Sequence, residues 1–202
     1  MDLITPSLAP PVVKQFRRIY PDVRIHIYEG LEASAVEKLR MGEIDFSVTS
    51  IAASTTLSEK EFIIHPIIKI PMAIICRSGH PLQDKTSLQD LLVADWVQIG
   101  AGGHLTPIIR NFYLQHGLQA PNVAVECHSF TSSLAMIDST DLLGIVPEAW
   151  ISDVYYTGKF AKISVREGLA TNQLQMLLRR DKPLIPVAQT FSTLFLRLAD
   201  VD

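Results

Sequence analysis

The sequence predicts an α/β protein of two lobes joined by two extended crossovers. Three observations predict it. Apolar residues at helical spacing alternate along the chain with apolar residues at strand spacing. A β-branched run, Phe62 to Cys76, is interrupted by Pro66 and Pro71, as expected of extended chain that changes direction between lobes. A second strand-like run, Leu174 to Leu178, then leads back toward the first lobe before a final amphipathic helix.

Taken in order, Val12, Val13, Phe16, Ile19 and Tyr20 fall on one helical face, and Pro21 stops that helix. Val23, Ile25 and Ile27 alternate with Arg24, His26 and Tyr28, a strand pattern. Val36 and Leu39 mark a second helix closed by Gly42. Ile44, Phe46 and Val48 mark the next strand, and strand–helix–strand with short joints implies a parallel sheet. After the crossover the alternation resumes. A strand is expected at Trp96 to Ile99, a helix at Ile108 to His116 ended by Gly117, and a strand through Val123, Val125 and Cys127. A helix carrying Leu134 and Ile137 and a strand at Leu142 to Val146 follow. Phe191, Leu194, Phe195 and Leu198 define the last helix.

Composition narrows the function. The 202 residues hold 48% hydrophobic and 19% charged residues, the balance of a globular protein. A net charge of −3 and a pI near 6.1 disfavour a chain that grips nucleic acid alone, because phosphate binding needs a basic face. The longest apolar run, Ile67 to Cys76, is too short for a bilayer and carries Lys69, so no membrane partner is expected. No secretion signal opens the sequence, and cytoplasmic residence is expected. Cys76 and Cys127 belong to no metal or redox motif and are expected as reduced thiols.

Binding chemistry is expected where strands hand over to helices. Helix N-termini carry free N–H groups and a partial positive charge, so they hold anions without Lys or Arg. Four such junctions are rich in small polar residues or glycine: Thr5-Pro6-Ser7, Gly30 to Ser34, Gly100 to Thr106, and Ser129 to Ser133. Simple N-capping explains any one of them; four meeting together would make a site. The glycine run at 100–103 fits neither a dinucleotide fingerprint nor a P-loop, so no nucleotide cofactor is expected. The six histidines lack ligand spacing, so no metal is expected, and no nucleophile elbow or reactive-cysteine motif points to an enzyme.

Six blocks in order resemble LysR-type transcription regulators. Phe16-Arg17-Arg18-Ile19-Tyr20-Pro21-Asp22-Val23 is similar to the family's FRxxYPDV. Tyr28-Glu29-Gly30 and Leu39 to Val48 resemble its EG…LxxGELDLAI, and Gly79-His80-Pro81-Leu82 its HPL turn. Glu126 and Ser129, followed by Leu143 to Pro147, resemble ExxS…GIALLP, and Leu177 to Leu184 resembles LVxRRDRPL.

The resemblance implies a type II periplasmic-binding-protein-like fold of two Rossmann-like lobes, with 1–69 and 171–202 as lobe I and 70–170 as lobe II. It implies the effector-binding domain of a regulator, with a small organic, anionic effector in the interlobe cleft. Effector contacts then fall on Thr5, Ser7, Glu32, Gly102, Gly103, His104, Leu105, Thr106, Ser129, Thr131, Ser132 and Pro147. It further implies a homodimer or higher homo-oligomer, and DNA contact only through an N-terminal winged helix-turn-helix that this chain lacks. Departures stand out: little sequence precedes Thr5 to make a first strand, the stretch from Ser7 to Phe16 is about one helical turn shorter than usual, Glu32 replaces the usual Ser or Thr, and Asp141 stands where glycine is common. A transport-type solute-binding protein of the same fold is the alternative. Deaminase- or dehydratase-type enzymes with related lobes find no motif here.

Overall fold

The computed structural model describes residues 8–28, 32–50, 57–99, 108–127, 129–151, 156–169 and 171–199. The chain divides into two compact units, Met1–Lys69 with Gln173–Asp202, and Ile70–Asn172.

The first unit opens with α1, Ala9–Ile19. Prolines occupy its first turn, where a missing N–H costs no hydrogen bond. Ala9, Val12 and Phe16 form its buried face, and the Tyr20 N–H closes it onto the Phe16 carbonyl at 2.9 Å. Helix α2, Glu32–Met41, buries Val36 and Leu39 against Phe62 and Leu177. It ends at Gly42, whose φ of 73° needs a residue without Cβ.

Strands β1 (Phe46–Ser50) and β2 (Phe62–Ile70) flank β8 (Asn172–Arg179) in the order β1-β8-β2. β1 runs antiparallel to β8, with Val48 opposite Met176. Helix α5, Pro186–Ala199, lays Phe191 4.7 Å from Phe16 and 5.8 Å from Phe46, so α1, β1 and α5 share one aromatic core. Tilted ring pairs such as these, at interplanar angles of 57° and 58°, add about 0.5–1.5 kcal/mol each beyond the area they bury.

The second unit is built on β3, Met72–Arg77, buried from Met72 through Cys76. It lies between β6 (Gly144–Pro147) and β7 (Phe160–Ile163), antiparallel to both, with Ile74 opposite Ile145 and Ile163. β4 (Asp95–Ile99) and β5 (Asn122–Cys127) pair in parallel with a register shift between Trp96 and Val97. Leu143 joins β4 through a bridge at Trp96, with Val97 N–H on the Leu143 carbonyl at 2.8 Å. Helices α3 (Ile108–Gln115) and α4 (Phe130–Ser139) complete the unit. Leu134 and Ile137 of α4 pack on Ala73, Ile75, Val97 and Val146. Gly144 permits that approach, because a Cβ there would stand 2.5 Å from Ile137 Cδ1.

Two features differ from expectation. Val23 to Tyr28 alternates as a strand should yet joins no ladder among the described residues. Among the described pairings, β4 with β5 is parallel, and β1 with β8, β3 with β6 and β3 with β7 are antiparallel. β7 was not expected, because four residues with two outward positions leave too short a pattern to recognise.

Candidate functional site

Of the four candidate junctions, the start of α4 is the one described in full. Ser129 is the N-cap, with extended backbone at φ −110° and ψ 127°, and its Oγ accepts the Ser132 N–H at 3.3 Å. The Ser129 carbonyl accepts the Ser133 N–H and the Ser133 hydroxyl, each at 3.0 Å, and the Cys127 thiol at 3.5 Å. These bonds hold the entry to α4 in one conformation. Ser133 is buried and belongs to the scaffold, whereas Ser129, Thr131 and Ser132 are exposed. Two outward hydroxyls on the first turn, added to the positive end of the helix, make a donor-rich surface suited to an oxyanion.

Pro147 ends β6, paired opposite Met72, and is buried. The next residue anchors this corner twice: Glu148 N–H bonds the Pro71 carbonyl at 2.9 Å, and its carboxylate takes Lys162 at 2.5 Å. Pro147 therefore shapes β6 and offers a ligand no polar atom of its side chain. Glu32 is the first residue of α2, in the other unit. Thr5, Ser7, Gly102, Gly103, His104, Leu105 and Thr106 lie outside the described residues. The structure thus gathers Ser129, Thr131 and Ser132 into one turn.

Asp141 has a local role that sequence did not reveal. Arg77 grips its carboxylate, with Nε at 2.8 Å and Nη2 at 2.7 Å. Its carbonyl meets His80 Nε2 at 3.1 Å, while His80 Nδ1 accepts the Leu82 N–H at 3.0 Å. A nitrogen that accepts must be unprotonated, so the imidazole is the neutral Nε2–H tautomer. Asp141 and the HPL turn form one structural clamp, and the Asp141 carboxylate is engaged there by Arg77.

Sequence also missed a buried polar group in the second unit. Among the described residues Trp96 Nε1, the Tyr113 hydroxyl and Glu167 Oε2 have no hydrogen-bond partner that meets distance and angle limits, while Glu167 Oε1 accepts the Leu88 N–H at 3.2 Å. Burial, and then the nearby Glu167 charge, raise the Tyr113 pKa, so the phenol stays neutral. No motif could have announced this group, since its members are brought together only by packing.

Cys76 is buried and Cys127 half-buried, both as free thiols. Among the described residues there is no group of His, Cys, Asp and Glu able to hold a metal, and no helix long and apolar enough to cross a membrane.

A 620 Å³ cavity lies in the first unit, lined by Val23 to Tyr28, by Glu43 to Thr49, and by residues of α1, α2 and α5. It contains none of the candidate effector residues.

Comparison with known proteins agrees with the six blocks. The chain is 24% identical over 187 residues to the HTH-type transcriptional regulator GbpR of Azospirillum brasilense, covering 91% of this chain and 54% of that protein. It thus spans about half the length of that curated relative. Among solved structures, it is similar to the effector binding domain of QuiR in complex with shikimate, with a TM-score of 0.80 and 16% identity over 98% of this chain and 92% of that one. The effector binding domain of BenM with benzoate gives a TM-score of 0.74 at 16% identity, covering 96% and 87%. The model of the LysR substrate binding domain matches residues 1–200, and the chain belongs to that family.

Proposed function

We propose that this chain is the ligand-sensing domain of a LysR-type transcription regulator, and that a small organic anion is its effector. The observation that carries the reading is the start of α4, where a fixed serine cap presents Thr131 and Ser132 outward within a LysR substrate binding domain. The relatives that bind shikimate and benzoate supply the ligand class, since both molecules carry a carboxylate that helix N–H groups can hold. The remaining contacts fall on Thr5, Ser7, Glu32, Gly102, Gly103, His104, Leu105, Thr106 and Pro147. In the longer protein, DNA contact falls to a separate helix-turn-helix region, the domain works as a homo-oligomer, and the protein resides in the cytoplasm. A ligand then controls transcription only through its difference in affinity between conformational states, typically worth about 1–3 kcal/mol.

A thermal-shift screen of shikimate, benzoate, other small carboxylates, sulfonates and amino acids tests the reading. An authentic effector at about a hundred times its Kd stabilises the folded state by about 2.7 kcal/mol. The reading expects at least one carboxylate to raise Tm, and Thr131→Val combined with Ser132→Ala to remove most of the rise. It fails if nothing in the screen shifts Tm, or if the double variant responds as fully as the native chain.

A further inference from the structure

Three buried polar atoms of the second unit have complementary chemistry and come from three different elements. Val97 of β4 faces Leu134 and Ile137 of α4, so Trp96, one residue earlier, turns to the other face of the strand. There it meets Tyr113 of α3, with ring centroids 5.9 Å apart and planes at 85°. Tyr113 shares the buried side of its helix with Ile109 and Phe112, which carries its hydroxyl into the interior. Glu167 comes from the turn after β7, and 17% of its side chain is exposed. Its Oε1 accepts the Leu88 N–H at 3.2 Å and lies 3.8 Å from Arg166 Nε. Its Oε2, the Tyr113 hydroxyl and Trp96 Nε1 are each shut off from solvent. An indole N–H only donates, a carboxylate oxygen only accepts, and a phenol does both. Kept apart, the three would lose their hydration with nothing in return. Placed in series, they satisfy one another. The Glu167 charge and the Trp96 N–H both act on the Tyr113 hydroxyl, so the phenol is the middle member.

We propose that these residues form one relay, Trp96 Nε1–H to Tyr113 Oη and Tyr113 O–H to Glu167 Oε2, which fastens the 165–168 turn to the interior of the second unit. The backbone of the turn supports this role. Arg166 N–H bonds the Thr86 carbonyl at 3.0 Å, and Gly168 N–H bonds the Val165 carbonyl at 3.2 Å. Gly168 takes a φ of 65°, so the turn reverses tightly with Glu167 as its inward residue. A carboxylate suits the position because two acceptors are needed: Oε1 is taken by Leu88, and only a second oxygen can receive the phenol. The turn precedes the return of the chain to the first unit along β8, so Glu167 is a positioning residue for that return. The inference does not depend on the ligand proposed above.

Nuclear magnetic resonance of the Trp96 indole N–H tests the relay, in a Trp150→Phe chain where Trp96 is the one tryptophan left. Tyr113→Phe keeps the ring and removes the hydroxyl, while Glu167→Gln keeps the volume and removes one of the two acceptors. In each, the indole N–H and the amides of Arg166 and Leu88 should exchange about tenfold faster, with β3 amides unchanged. The double variant should exchange as Glu167→Gln does, because groups in one relay are not independent. Exchange equal to that of the Trp150→Phe parent in both single variants overturns the proposal. Strict additivity in the double variant, or an acceleration shared equally by β3, also overturns it. So does cross-relaxation from the indole proton to water and none to the Tyr113 hydroxyl proton, which would put an enclosed water in place of the direct bond.

Discussion

The two units answer the same sequence pattern differently. In the second, β4, β5 and Leu143 meet side by side, and β3, buried from Met72 through Cys76, anchors a separate three-stranded sheet. In the first, Val23 to Tyr28 alternates as clearly as β5 does and yet stands unpaired among the described residues. Alternation reports which faces of a segment are apolar. It does not report whether a neighbouring strand exists, because pairing is a contact between residues far apart in the chain. A pattern can therefore be read correctly while its ladder is absent.

The comparison can be broken first in the closed unit. Ile75→Ala removes a side chain with no solvent exposure from the centre of that core. It should cost about 2–5 kcal/mol in urea unfolding. A loss below about 1 kcal/mol would mean this core is looser than its packing indicates. His80→Ala should cost about 1–3 kcal/mol, because it orphans the Leu82 N–H and removes the donor facing the Asp141 carbonyl. Asp141→Ala, which deletes an exposed ion pair, should cost no more than about 1 kcal/mol. If the two costs were reversed, the clamp would be held by charge and not by the imidazole.

A pH titration sharpens the same contrast. Burial pushes the Cys76 thiol up to about 11 from its ordinary 9.0. A raised folded-state pKa means the folded chain keeps its proton while the unfolded chain loses it. Its contribution is complete below pH 9 and is lost as pH rises toward 11. Thermal melts should show Tm falling across that window, and Cys76→Ala should flatten the fall. An identical slope in the variant would assign the loss to other groups.

A modest effect is expected at the site. Ser129→Ala removes the cap bond to Ser132 N–H and should cost about 0.5–2 kcal/mol, read by thermal melting. No loss would mean the cap is replaced by solvent.

How much was legible follows from the kind of signal each residue carries. Helices were read closely, because Val12 with Phe16, and Leu134 with Ile137, report their own faces over one or two turns. The family blocks were legible too, and several of them prove to be structural fasteners. Arg179 Nη1 bonds the Arg40 carbonyl at 3.2 Å beside Gly42, and the Arg180 N–H bonds the Glu61 carbonyl at 2.9 Å. That explains how six blocks can identify the fold and leave the effector unnamed: they record how the chain holds itself together. The start of α4 was legible because a serine cap is a local device. The partnership of Arg77 with Asp141, and the polar group around Tyr113, were not. Their members are separated by many residues and meet only in the folded chain.

The most direct test of the proposed sensor is an amide chemical-shift titration with the carboxylate that raises Tm. The predicted result is that the amides of Ser129 to Ser133 are among those that move most, saturating together with the thermal shift. The contrary result is shifts confined to Val23 to Tyr28 and Phe46 to Thr49, which would put the ligand in the cavity of the first unit and remove the α4 site.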